Sequence, residues 1–197
     1  MENNCIATAF ISCSLRNEDK PFVELIEKIL IAHRIKPIGT VGRFSASPTS
    51  TAELMKQNIP QADFVVVVAT PRYKQKDINS GKLTTGLSEM LHVETGMAFM
   101  IDKPVVVFVQ NGTNVGNFLP TITQYITLDG TQNNLNKNWT LINSLIKHAY
   151  DIVEQKKREK ANQSFWKTLT AGLAVVGSIS IINSLNSADN DDDYEYE

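Results

Sequence analysis

Hydrophobic and polar positions along the chain alternate between two kinds of segment. Short apolar runs of strand length occur at CIATAFIS (5–12), IKPIGTV (35–41), ADFVVVVATP (62–71), KPVVVFVQ (103–110) and ITQYITLD (122–129). The FVVVV run is β-branched and continuously apolar, the pattern of a strand covered on both faces. Pro37 weakens the second run and predicts a sheet edge. Between the runs lie segments with helical spacing. Pro21 opens one in which Phe22, Leu25, Ile26, Ile29 and Leu30 share a face. TAELMKQNI is a short helix that Pro60 is expected to stop, residues 84–101 read as a further helix, and 136–160 as a long, increasingly charged one. GRFSASPTS and RYKQKDINSGK read as loops. Strands alternating with helices predict an α/β fold: a parallel sheet of about five strands with helices on both faces.

Composition changes this picture only at the carboxyl end. Of 197 residues, 42% are hydrophobic and 20% charged, enough for a packed core. The formal net charge is −2, but six acids lie in the last nine residues, so residues 1–188 hold 19 basic residues against 15 acids. That mildly positive body lacks the strong basic patch of a nucleic-acid binder. Cys5 and Cys13 make neither a disulfide framework nor a metal motif, and the amino terminus lacks a secretion pattern, so a cytoplasmic protein is expected. After KKREK (156–160), FWKTLTAGLAVVGSISIINSL (165–185) is almost uncharged, and an acidic tail follows. Its 21 residues match the length of a bilayer span, of about 20 residues, although Lys167 and Asn183 interrupt it. Membrane anchoring or an oligomer seam is the expected use, packing on the domain the alternative. The expected division is 1–135 for the α/β domain, 136–160 for its last helix, 161–188 for the apolar segment and 189–197 for the tail.

One side chain breaks the hydrophobic sorting. On the 84–101 helix, Leu87, Met90, Leu91, Val93, Met97, Ala98, Met100 and Ile101 are expected on one broad face, with Ser88, Glu89, His92, Thr95 and Asp102 opposite. Glu94 falls near the centre of the apolar face. An unpaired buried carboxylate costs several kcal/mol, so it must be paired, protonated or open to a cavity. The helix follows a central strand, and ligands in such sheets bind at the strands' carboxyl ends. Glu94 is therefore either a site residue or a structural carboxylate that caps a loop or pairs with an arginine.

FISCSLRNEDKPFVELIEKIL, IGTVGRFSASPTSTAELMKQNIPQADFVVVVATPRY and SEMLHVETGMAFMIDKPVVVFV together resemble, in order and spacing, the Toll/interleukin-1 receptor (TIR) domains. The likeness is to the bacterial TIR-like group related to nucleoside deoxyribosyltransferases, and covers roughly residues 5–130. It implies a flavodoxin-like sheet and cleavage of the nicotinamide–ribose bond of NAD, with Glu94 as the catalytic carboxylate. By their places, Ser12 and Ser14 could meet ribose or phosphate or be ordinary turn residues, and Arg16 could meet a phosphate or form a surface salt bridge. Arg43 and Phe44 lie in the loop after the second strand, where the aromatic could stack on adenine or a neighbouring subunit; Tyr73 could line the pocket or cap its strand, and Ser88 is a further binding candidate. Where the family commonly has a tryptophan four residues before the glutamate, this chain has Met90. The resemblance further implies a defence or signalling effector activated by self-assembly. NAD is the substrate and no other cofactor is expected. His33, His92 and His148 are far apart in sequence, and His92 projects about 200° round the helix from Glu94, so no metal is expected. A non-catalytic TIR-like module that binds a nucleotide or a partner TIR surface, and a nucleoside N-glycosidic transferase or hydrolase, are the alternative functions.

Overall fold

The computed structural model describes residues 5–39, 51–76 and 78–188, with side chains for all of these except 51–52 and 165–188. Five parallel strands form the central sheet: β1 (Ala7–Cys13), β2 (Ile35–Ile38), β3 (Phe64–Ala69), β6 (Val105–Gln110) and β7 (Tyr125–Leu128). Two further strands, β4 (Tyr73–Lys76) and β5 (Leu83–Gly86), pair antiparallel as a separate hairpin. The helices are α1 (Lys20–Ala32), α2 (Thr51–Gln61), α3 (Glu89–Met100), α4 (Phe118–Ile122) and α5 (Gln132–Ala188).

The sheet order is β2-β1-β3-β6-β7. Numbered among parallel strands alone this is 2-1-3-4-5, the flavodoxin-like, doubly wound order. The expected α/β class therefore holds, and Pro37 does lie on an edge strand. Alternation along β3 divides the core in two. Val66 and Val68 pack with Phe22, Ile26 and Leu30 of α1 and with Ile142 and Ile146 of α5. Val65 and Val67 pack with Met55 and Ile59 of α2, Leu91 and Ala98 of α3, and Leu119 of α4. All six β3 residues are buried, which is why this run carries no polar position.

Four local expectations need correction. The loop after β3 contains the β4–β5 hairpin, and residues 84–86, expected to start a helix, belong to its second strand. Thr84 and Thr85 are β-branched and suit that pleat. Pro60 does not stop α2 but sits in its last turn, where the Lys103 ammonium donates to the Pro60 carbonyl at 2.9 Å. The short helix α4 falls in a stretch not expected to be helical, and α5 begins at Gln132, before residue 136.

The α3 faces also differ from expectation. Its buried residues are Leu91, Glu94, Thr95 and Ala98, whereas Met90, Val93, Met100 and Ile101 are exposed. With apolar residues all round the helix, periodicity could not select the inner face. Small Thr95 and Ala98 allow close approach to the sheet, and the Thr95 hydroxyl donates to the Leu91 carbonyl at 2.6 Å.

The chain divides into two compact units, Met1–Val153 and Glu154–Glu197. In the second, residues 165–185 are helical backbone, but the side chains on which the anchoring expectation turns lie outside the described residues. Among the described residues, no helix is long and apolar enough to cross a membrane. The acidic tail 189–197 lies outside them as well.

Candidate functional site

In a 2-1-3-4-5 sheet the chain leaves β1 towards one side and β3 towards the other, so the loops after these strands part and open a crevice. A cleft of about 400 Å3 occupies that place. Cys13, Ser14, Leu15 and Arg16 line it from the loop after β1, and Arg72 from the loop after β3. Met55 of α2 and the first turns of α3, from Ser88 to Glu94, complete the wall.

Strand alternation puts Ser12 on the same sheet face as Phe10, which packs towards α2 and α3. Ser12 is wholly buried, and its hydroxyl donates a hydrogen bond to Glu94 Oε2. Glu94 lies three residues after Leu91 and four before Ala98, in the middle of the inner face of α3, and is 6% exposed. Burial raises its carboxyl from 4.5 to about 7, against the opposing pull of the Ser12 hydrogen bond. Among the described residues no arginine pairs with it. Near neutral pH the group is therefore poised between acid and carboxylate, inside a crevice. That combination suits proton transfer or the stabilisation of a developing positive charge.

The remaining expected residues have different fates. The Ser14 hydroxyl accepts from the Arg16 backbone N–H at 3.4 Å and lines the cleft. Arg16, expected to meet phosphate, is engaged within the chain. Its Nε and Nη2 donate to Asp19 at 2.8 and 3.1 Å, Nη1 lies 3.3 Å from Glu18, and Nη2 also reaches the Pro71 carbonyl. It ties the loop after β1 to the loop after β3, with Asp19 buried beneath it. Ser88 is the N-cap of α3, makes no capping bond with its side chain, and lines the cleft. Tyr73 is exposed on β4 and does not line the cleft; the Arg72 guanidinium lies 5.7 Å from the centre of its ring. Arg43 and Phe44 lie outside the described residues.

Arg72 is the lining residue that sequence reading passed over. Its signal was positional: the cation lies three residues past the carboxyl end of the most apolar strand. His92 packs edge-on against Phe118, with ring centres 5.8 Å apart, away from this cleft. Among the described residues no group of three His, Cys, Asp or Glu side chains could hold a metal ion. A larger cavity, about 810 Å3, opens at the amino end of β7 between α4 and α5. Among the described residues it carries no carboxylate, and it sits away from the strands' carboxyl ends, so the smaller cleft is the better candidate despite its volume.

No family model matches the chain, so the TIR resemblance has none behind it. No curated protein matches either. Among solved structures, the chain is similar to the CMP N-glycosidase BcmB of Clostridium botulinum, at 14% identity and a TM-score of 0.45, over 68% of this chain and 98% of that one.

Proposed function

We propose that this protein is an N-glycosidase that cleaves the nicotinamide–ribose bond of NAD, with Glu94 as its catalytic carboxylate. The observation that carries the reading is a buried carboxyl, held by Ser12, at the topological switch point of the sheet. The TIR resemblance of the sequence supplies the choice of substrate. In the reaction the C1′–N bond breaks, and its electron pair leaves on nicotinamide, whose ring nitrogen becomes neutral. The ribosyl centre left behind has oxocarbenium character, which a carboxylate beside it stabilises. Water forms the new bond to C1′ and passes its proton to Glu94 and then to solvent. The products are nicotinamide, ADP-ribose and a proton. NAD is the substrate, and no further cofactor enters.

Nicotinamide release from NAD by concentrated protein tests this directly. Glu94→Gln keeps the side-chain shape, removes the charge, and is expected to slow release by on the order of a hundredfold or more. A folded variant that releases nicotinamide at the wild-type rate removes Glu94 from the chemistry.

The raised carboxyl favours one second reading, a nucleoside or nucleotide N-glycosidase acting on an uncharged base. Such a base leaves poorly unless protonated, and a carboxyl near pH 7 is half in its acid form. The two readings differ in sign. Cleavage that uses the carboxylate rises with pH through about 7, whereas cleavage that uses the acid falls through the same point.

A further inference from the structure

Among the described residues, two guanidinium groups line the cleft, and their surroundings differ. Arg16 donates to Asp19 and the Pro71 carbonyl and lies 3.3 Å from Glu18, which leaves it at most one Nη1 N–H for a ligand. Arg72 makes no ion pair or side-chain hydrogen bond among the described residues, and its one ring contact is with Tyr73. Its backbone is nevertheless fixed, because its N–H donates to the Gly86 carbonyl at 2.8 Å and so pins the base of the β4–β5 hairpin. A held backbone with an unengaged cation facing a cleft is an arrangement suited to a bound anion. The surroundings reinforce the sign. Lys74, Lys76 and Lys82 on the same hairpin are exposed. The amino end of α3, which lacks a side-chain cap at Ser88, opens on the same cleft, with the exposed Glu89 in its first turn partly offsetting the dipole. Among the described residues, Glu94 is the only carboxylate that lines it.

We infer that the cleft is built for a 5′-phosphorylated ribosyl substrate and that Arg72 holds its phosphate while Glu94 faces the glycosidic carbon. The inference rests on N-glycosidic cleavage at Glu94 and adds to it the residue that holds the 5′-phosphate, and with it a preference for nucleotide over nucleoside. A volume of about 400 Å3 is at the low end for small-molecule pockets, which span roughly 300 to 1,000 Å3. The cleft therefore suits one phosphorylated ribose and its leaving group, with the rest of a dinucleotide outside.

Binding and turnover test it separately. In the binding arm, ribose, inorganic phosphate and ribose 5-phosphate are titrated into the full chain while Tm is followed. Ribose 5-phosphate is expected to raise Tm where ribose does not. Arg72→Gln should abolish that rise, and Arg72→Lys should restore part of it. An equal rise with inorganic phosphate would mean a site for a free anion and would overturn the inference. So would a rise that survives Arg72→Gln, or no rise at all. In the turnover arm, nicotinamide mononucleotide and nicotinamide riboside share ribose and leaving group and differ only in the phosphate. The wild type is expected to favour the mononucleotide in kcat/KM by on the order of ten- to a hundredfold. Arg72→Gln should collapse that ratio towards one, chiefly through KM. Equal kcat/KM values in the wild type would overturn the role of Arg72. If neither compound releases nicotinamide but ribose 5-phosphate still binds through Arg72, the NAD reading fails and the phosphate site stands.

Discussion

Helices α1 and α3 pack against opposite faces of the same sheet, yet they spend their apolar residues in opposite ways. Helix α1 turns Phe22, Val23, Ile26, Ile29 and Leu30 inward and keeps Lys20, Glu24 and Lys28 outside. Helix α3 turns Glu94 and Thr95 inward beside Leu91 and Ala98, and leaves Met90, Val93, Phe99, Met100 and Ile101 exposed. The first arrangement is what burial energetics alone would choose. The second gives up apolar area on the inside to place a carboxyl against Ser12. Such a loss marks Glu94 as a site candidate, because departures from local rules concentrate at functional or strained sites.

Substitutions should expose that difference. The largest effect is expected on the sorted side. Ile26 is wholly buried among the residues of α1, the sheet and α5. Ile26→Ala removes its side-chain volume from a packed layer and should cost about 2–5 kcal/mol of unfolding free energy, measured by denaturant titration. A cost below that of a surface substitution would mean that this face is not the rigid one.

The unsorted side should behave in the reverse sense. Glu94 has a folded-state value of about 7 against 4.5 in the unfolded chain. Between these values the folded protein holds a proton that the unfolded chain has released, so stability falls as pH rises from 4.5 to about 7, and the penalty is constant above. The difference corresponds to about 3 kcal/mol. Glu94→Gln should therefore be more stable than the wild type at pH 8 by an amount of that order, and the gain should vanish near pH 4.5. Tm of both proteins across pH measures it. A gain independent of pH would show that the carboxyl does not titrate as its burial requires.

The sorted regions were also the legible ones. The valines of β3 and β6, the edge position marked by Pro37 and the apolar stripe of α1 all follow from side-chain periodicity. Glu94 was legible as an anomaly, but its partner was not. Ser12 meets it across 82 positions of sequence, through the register of β1 beside β3. Tyr73, Lys74, Gln75 and Lys76 hid β4, because an exposed hairpin buries nothing that a hydrophobic pattern could record. Arg16 and Arg72 could not be ranked from sequence. Asp19, three positions on from Arg16, hinted at its pairing, but the Pro71 contact that completes it depends on how two loops meet.

The smallest effect is expected on the outer face of α3, and it sharpens the comparison most economically. Met100 is 80% exposed, at the end of the helix furthest from Ser88. If that face meets only water, Met100→Ser loses almost no buried area, and Tm should change by no more than a surface substitution allows, about 0.5 kcal/mol or less in free energy. Nicotinamide release should be unaltered, since Met100 touches neither the cleft nor Glu94. A loss approaching that of Ile26→Ala would mean that in solution something covers the outer face, and the apparent waste of apolar residues on α3 would then be an interface. Repeating the measurement over a range of protein concentrations identifies the cover. A second copy of the chain makes the cost concentration-dependent, whereas packing within one chain leaves it fixed.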